Sequence, residues 1–282
     1  MREIPDSWSE RIPRRVSPKR QATLFRRAFH EGLLKNGFTC MGDPLARTAN
    51  PSPRELAQMC RYARLTDDGV LQTVFFDMNE ILADEDRFDP HACGATLNVC
   101  LWHMKEPLPS NPHYFWICGF SQQRVTGFRY PGMEADFRPS FINVYCDDFP
   151  FALALEKELF FEQTLPLLDA HATVQSLAAW WMETLDPRWQ MTARPDCAIW
   201  PQLESHLWEE AQACVDMGLA RLAEIGAGEA HRAPWLRLQE LVAHRSSADV
   251  NALLETNRAA NQPLLPSLVP GLFPLQADTA TD

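Results

Sequence analysis

Arg61 to Asn79 reads R-Y-A-R-L-T-D-D-G-V-L-Q-T-V-F-F-D-M-N, and Ala95 to Met104 reads A-T-L-N-V-C-L-W-H-M. Asp67-Asp68-Gly69 separates two runs rich in aromatic and β-branched residues. An Asp-Gly step supplies the positive φ that a tight hairpin needs. Beyond it, Val70, Val74, Phe76 and Met78 share one face, with Gln72 as the polar exception. Leu71, Thr73, Phe75, Asp77 and Asn79 share the other. Ala95, Leu97, Val99 and Leu101 repeat the pattern, opposite Thr96, Asn98 and Cys100. A period of two sustained over so many residues marks strands. The stretch therefore predicts three antiparallel strands at the middle of a sheet, with one dry face under helices and one mixed face. Val74, Phe76, Leu97 and Val99 are the expected core.

Outward from that stretch, 282 residues suffice for one large domain or two small ones. A composition of 46% hydrophobic and 22% charged residues is that of a globular protein. No run approaches the roughly 20 apolar residues of a membrane span. The N-terminus lacks the apolar core of a signal peptide. Eight cysteines fall at 40, 60, 93, 100, 118, 146, 197 and 214, with no C-x-x-C pair. That scatter predicts reduced thiols and a cytoplasmic setting. The net charge of -11 is uneven: residues 1–27 hold eight Lys or Arg against three acids, leaving the rest at about -16. An acidic body argues against nucleic acid and for a basic protein partner.

Residues 1–20 predict an irregular basic arm carrying Arg11, Arg14, Arg15, Lys19 and Arg20, with prolines at 5, 13 and 18. Leu24, Phe25, Ala28, Phe29 and Leu33 make the apolar stripe of a helix from Gln21 to Asn36, and Asn36-Gly37 stops it. Phe38 to Met41 opens a short strand, and Arg54 to Met59 forms a helical turn. His113 to Phe120 and Phe141 to Cys146 extend the sheet. A helix over Phe151 to Leu165 ends at Pro166. Thr173 caps another over Val174 to Thr184. Residues 186–200, between Pro187 and Pro201, read as a packed linker. Helices follow over Gln202 to Ile225, Trp235 to His244 and Ala248 to Asn261. The whole is α+β: a sheet domain over 21–185 whose antiparallel sheet packs with helices, an all-helical C-terminal region over 186–262, and a proline-rich tail over 263–282 that lies across the surface or is disordered.

Motifs with dedicated chemistry are missing. Neither G-x-x-x-x-G-K nor G-x-S-x-G occurs, and no H-E-x-x-H pairs the histidines. Asp84, Glu85, Asp86 and Asp89 lie together in one acidic loop, without the spacing of a calcium loop. No metal and no cofactor is therefore expected. Asp77 ends one strand, and Asp147 and Asp148 end another. If those ends are neighbours, their carboxylates form a cluster able to do acid–base work or hold magnesium. Capping of turns is the commoner use of Asp at such places. Cys93 and His103 can be drawn as nucleophile and base. The pairs Trp180-Trp181 and Phe160-Phe161 each face two sides of a helix, so one member of each needs a second burial site or a partner.

Several of these stretches together resemble a known family. A helix ending in N-G-F-T (Asn36 to Thr39) precedes C-R-Y-A-R-L-T-D-D-G-V-L-Q-T-V-F-F (Cys60 to Phe76), then A-T-L-N-V-C-L (Ala95 to Leu101). Q-Q-R (Gln122 to Arg124) and T-L-P-L-L-D (Thr164 to Asp169) follow. This order resembles a family of small bacterial domains of unknown function, number forty-three-zero-four, over residues 20–185. The loop at 43–53 is long for such a domain, and the C-terminal helices lie outside it. Related domains accompany toxin systems, so the resemblance implies an immunity or accessory role and carries over no catalytic residues. The expectation is a non-catalytic, cytoplasmic binding protein, of the immunity kind that occludes a toxin. Its binding residues would be Asp84, Glu85, Asp86 and Asp89, and its partner a basic protein, with neither nucleic acid nor membrane. The alternatives are a hydrolase or nuclease-like enzyme using Asp77, Asp147 and Asp148, and a scaffold that recruits a partner through the C-terminal helices.

Overall fold

The computed structural model of the chain describes residues 16–42, 53–78, 94–109, 120–121, 142–143, 149–184 and 195–273. Helix α1 spans Pro18–Lys35. Ser17 caps it, its hydroxyl accepting from the Arg20 N–H. Gly37, at φ +79°, turns the chain out of it and into strand β1, Thr39–Cys40. Helix α2 (Pro53–Met59) leads into β2 (Arg61–Leu65), β3 (Val70–Met78) and β4 (Gly94–His103). Gly69, at φ +80°, makes the hairpin turn. Short strands β5 (Phe120–Ser121) and β6 (Ile142–Asn143) complete the described sheet. The order is β1-β2-β3-β4-β5, with β6 also on β4, and every pairing is antiparallel.

The remaining elements are helical. They are α3 (Phe149–Leu159), a π-turn (Phe160–Thr164), α4 (Leu165–Ala170) and α5 (Val174–Thr184). Then come α6 (Pro195–Glu204), α7 (Trp208–Glu224), α8 (Glu229–His244), α9 (Ser247–Asn261) and α10 (Leu265–Leu268). The chain is α+β, with its helices concentrated after the sheet.

The first sheet face carries Tyr62, Val70, Val74, Phe76, Leu97, Val99 and Leu101, all buried. They join one core with Phe25, Phe29 and Leu33 of α1 and Phe149 and Leu153 of α3. The same core continues through Leu177 and Trp181 of α5 to Ile199, Val215, Trp235 and Leu254 of α6 to α9. Phe25 stacks on both Phe29 and Phe76, with ring centroids 4.7 and 4.9 Å apart. Gln72, the polar exception on this face, is buried but satisfied. Its amide donates to the Leu168 carbonyl at 2.6 Å, and its oxygen accepts from Arg64 at 2.7 Å.

The second sheet face departs from expectation. It is dry as well: Ala63, Leu71, Phe75, Cys100 and Trp102 pack with Leu265, Leu268 and Val269, and the half-buried Leu272 and Phe273 pack against that cluster. The segment after α9 supplies the cover, so residues 264–273 lie across the sheet. Thr73, expected on a mixed face, is 1% exposed. The prolines also behave differently from expectation. Pro166 sits inside α4 rather than ending a helix, and Pro201 lies within α6, where a linker was expected. The helix expected over Gln202 to Ile225 is broken instead, between α6 and α7, where His206 has φ +55°. In each case the apolar residues around the proline are buried, and that packing outweighs local propensity.

Of the doubled aromatics, Trp180, Trp181 and Phe160 are buried and Phe161 is half-buried. Trp180 is 8% and Trp181 3% exposed, and Trp180 stacks on His171 at 4.7 Å. The π-turn brings consecutive side chains closer in angle than an α-helix does, so Phe160 and Phe161 both turn toward Phe29. Phe161 covers Gly32 of α1 so closely that a Cβ there would meet its ring.

Candidate functional site

The densest polar cluster among the described residues lies where β4 meets the C-terminal helices. His103, the last residue of β4, is 1% exposed. Its Nε2 lies 2.5 Å from Glu204 Oε2, at the end of α6. Lys105 Nζ donates to Glu204 Oε1 at 2.7 Å and stands 3.7 Å from Glu255 Oε1 on α9. Burial pushes the Glu204 carboxyl upward. Hydrogen bonds from His103 and Lys105 outweigh it and hold the group down at about 2. Glu204 is therefore ionised across the neutral range and is no proton donor there. His103 Nδ1 is enclosed and has no partner in the structure.

Two asparagines of α9 complete the junction. Asn257 donates to the Lys105 carbonyl at 3.0 Å. Asn261, 2% exposed, donates to the Met104 and Glu106 carbonyls at 3.0 and 2.6 Å. Its Oδ1 accepts from the Leu108 N–H at 3.0 Å. One side chain thus satisfies three backbone groups of a buried turn. The chemistry of this cluster is that of an anchor.

A second polar link joins the sheet to α4. Arg64 of β2 pairs with Asp169, donates to Gln72 and to the Asn36 carbonyl, and lies over the Phe38 ring at 4.5 Å. From the hairpin turn, Asp68 accepts the Val174 N–H at 2.7 Å and so caps α5 from outside. The described cysteines Cys40, Cys60, Cys100, Cys197 and Cys214 are thiols rather than disulfides. Burial pushes the Cys60 thiol far up and the Cys214 thiol up to about 12, which keeps both protonated and poorly nucleophilic.

The third cluster lies where α1 crosses the edge of the sheet. Arg26 and His30, one helical turn apart, sit on the side of α1 that meets β2. His30 Nδ1 is 2.9 Å from the Tyr62 hydroxyl. Burial, then the Arg26 charge, lower the affinity of His30 for a proton. Burial, then the neighbouring Cys40, raise the Tyr62 hydroxyl well above its usual range, so it stays protonated.

Asp84, Glu85, Asp86 and Asp89 lie outside the described residues, as do Asp147, Asp148, Arg124 and Cys93. Asp77 is placed by its backbone, opposite Thr96 near the start of β4. Ile142 of β6 pairs with Ala95 on the other side of β4, so the topology brings β6 to the same end of the sheet as Asp77. Of the drawn Cys93–His103 pair only His103 is among the described residues. The ten-residue strand β4 holds Gly94 and His103 about 30 Å apart, and His103 turns to Glu204 instead. Among the described residues no three His, Cys, Asp or Glu side chains gather as metal ligands. No described helix is long and apolar enough to cross a membrane. Sequence reasoning missed Glu204, Asn261 and the Arg26–His30 pair. Only the last had a local signal, its four-residue spacing beside Phe25 and Phe29. No family model, no curated protein and no solved structure matches the chain.

Proposed function

We propose that the chain is a non-catalytic, cytoplasmic binding protein whose partner is a basic protein, in the manner of an immunity protein that occludes a toxin. One observation carries this reading: Glu204, Asn261, Gln72 and Gln202, polar groups at the junctions of the described core, are engaged in holding elements together. Glu204 ties α6 to β4, Asn261 ties α9 to the turn after β4, and Gln72 ties β3 to α4. Gln202 likewise donates across to the Ala178 carbonyl of α5 at 2.8 Å. Groups bound in this way stabilise a fold and are poorly placed to exchange protons with a substrate. The charge balance supports the choice of partner, since the chain outside its basic first 27 residues carries about -16.

The test is recovery of the tagged chain from its native cells at low and high salt, beside a variant carrying Asp84→Lys, Glu85→Lys and Asp86→Lys. A basic protein should be recovered with the native chain. Its association rate should fall as salt rises and fall about tenfold or more with the triple reversal. A partner whose on-rate ignores both changes would overturn the acidic-loop reading. Hydrolysis by the purified chain, abolished by Asp147→Asn, would establish the enzyme instead.

A further inference from the structure

Helix α1 carries Lys19, Arg20, Arg26, Arg27 and Lys35 against a single acid, Glu31, in a protein of net charge -11. Glu31 is already taken, its Oε1 lying 2.9 Å from Lys35 Nζ. Arg26 differs from its neighbours. It is half-buried, its Nε is enclosed without a hydrogen bond, and among the described residues no carboxylate pairs with it. A guanidinium drawn partly out of water without an acid is a costly arrangement. One turn on, His30 is held by the Tyr62 hydroxyl at Nδ1, which fixes the ring and leaves Nε2 for another partner. The Arg26 charge acts on His30 and, with Arg61, on Cys60.

We propose that Arg26 and His30 form a binding site for an oxyanion, of the phosphoryl or carboxylate kind, with Tyr62 as the residue that orients His30. The guanidinium fork supplies paired N–H donors and the imidazole a further one, a donor set matched to the oxygens of such a group. The anion would compensate the unpaired Arg26 charge. It would also explain why a neutral histidine is fixed beside an arginine.

The test follows the His30 imidazole by NMR in the full chain, titrating inorganic phosphate, acetate or chloride at fixed pH and ionic strength. Phosphate or acetate should shift the His30 signal saturably, and chloride should not. Saturation by phosphate alone assigns a phosphoryl group, by acetate alone a carboxylate, and either result supports the site. Arg26→Gln should weaken binding about tenfold or more, and Arg26→Lys, which keeps charge without the fork, should weaken it less. Arg27→Gln, next in sequence on the exposed side, should leave it unchanged. An absence of saturation with both oxyanions, or equal binding by the Arg26→Gln and Arg26→Lys variants and the native chain, would overturn the proposal.

Discussion

Asn261→Ala is the sharpest test of how the C-terminal helices are locked to the sheet. The substitution removes three hydrogen bonds and leaves the Met104 and Glu106 carbonyls and the Leu108 N–H facing a small cavity. A net loss of about 1 kcal/mol per bond, plus desolvation of buried groups left unpaired, amounts to about 3–5 kcal/mol. That is a large share of the roughly 5–15 kcal/mol that holds a domain folded. The midpoint of urea unfolding should fall accordingly, with the slope unchanged. Asn261→Asp sharpens the test, because it keeps the shape but sets a carboxylate against two carbonyl oxygens. Its folded pKa should rise above the unfolded value of about 3.9. The sign follows: the variant should come nearest to native stability below about pH 4, where the acid can donate, and fall away as pH rises. A cost for Asn261→Ala below about 1 kcal/mol, or an Asn261→Asp deficit independent of pH, would refute the lock.

Three further outcomes are expected. Glu204 has a depressed pKa of about 2, so its contribution is present above the ordinary value of 4.5 and lost as pH falls toward 2. The stability gap between native chain and Glu204→Gln should therefore narrow over that window in urea titrations at stepped pH, and a constant offset would contradict it. Gly218→Ala should destabilise by about 1–3 kcal/mol, because a Cβ there would enter the Trp235 ring. This exceeds the roughly 1 kcal/mol gained in helix propensity, and a rise in melting temperature would show that α7 and α8 pack less closely. Phe76→Ala, in the centre of the first core, should cost about 3–5 kcal/mol by denaturant unfolding, and a change below about 1 kcal/mol would mean the strand faces are misassigned.

The hairpin was legible because its signals are local. Gly69 sets the turn, and alternation over Val70 to Phe76 sets which side chains share a face. Helix α1 was legible for the same reason, through its stripe from Phe25 to Leu33 and the stop at Gly37. The dryness of the second face was not legible, because Leu71 and Phe75 are covered by Leu265 and Leu268, far along the chain. Pro166 and Pro201 misled in the same way, since burial around them is a tertiary fact. His103 and Glu204 lie 101 residues apart, so no motif could join them. The Arg26–His30 spacing was readable, but its meaning depends on Tyr62, which only the fold brings alongside.

The cover on the second sheet face has a consequence for synthesis. Trp102 leaves the ribosome about 160 residues ahead of Leu265, and elongation at roughly 5–20 residues per second makes that interval about 8–32 s. Throughout it Leu71, Phe75, Cys100 and Trp102 lack the part of their cover that Leu265, Leu268 and Val269 supply. The nascent chain thus completes its first layer well before the last helical segment can close on the second face, an interval in which chaperones that hold exposed hydrophobic surface can act on it. Codon choice or temperature shifts that slow translation between α1 and α9 should raise the aggregated fraction, even though the finished fold is unchanged.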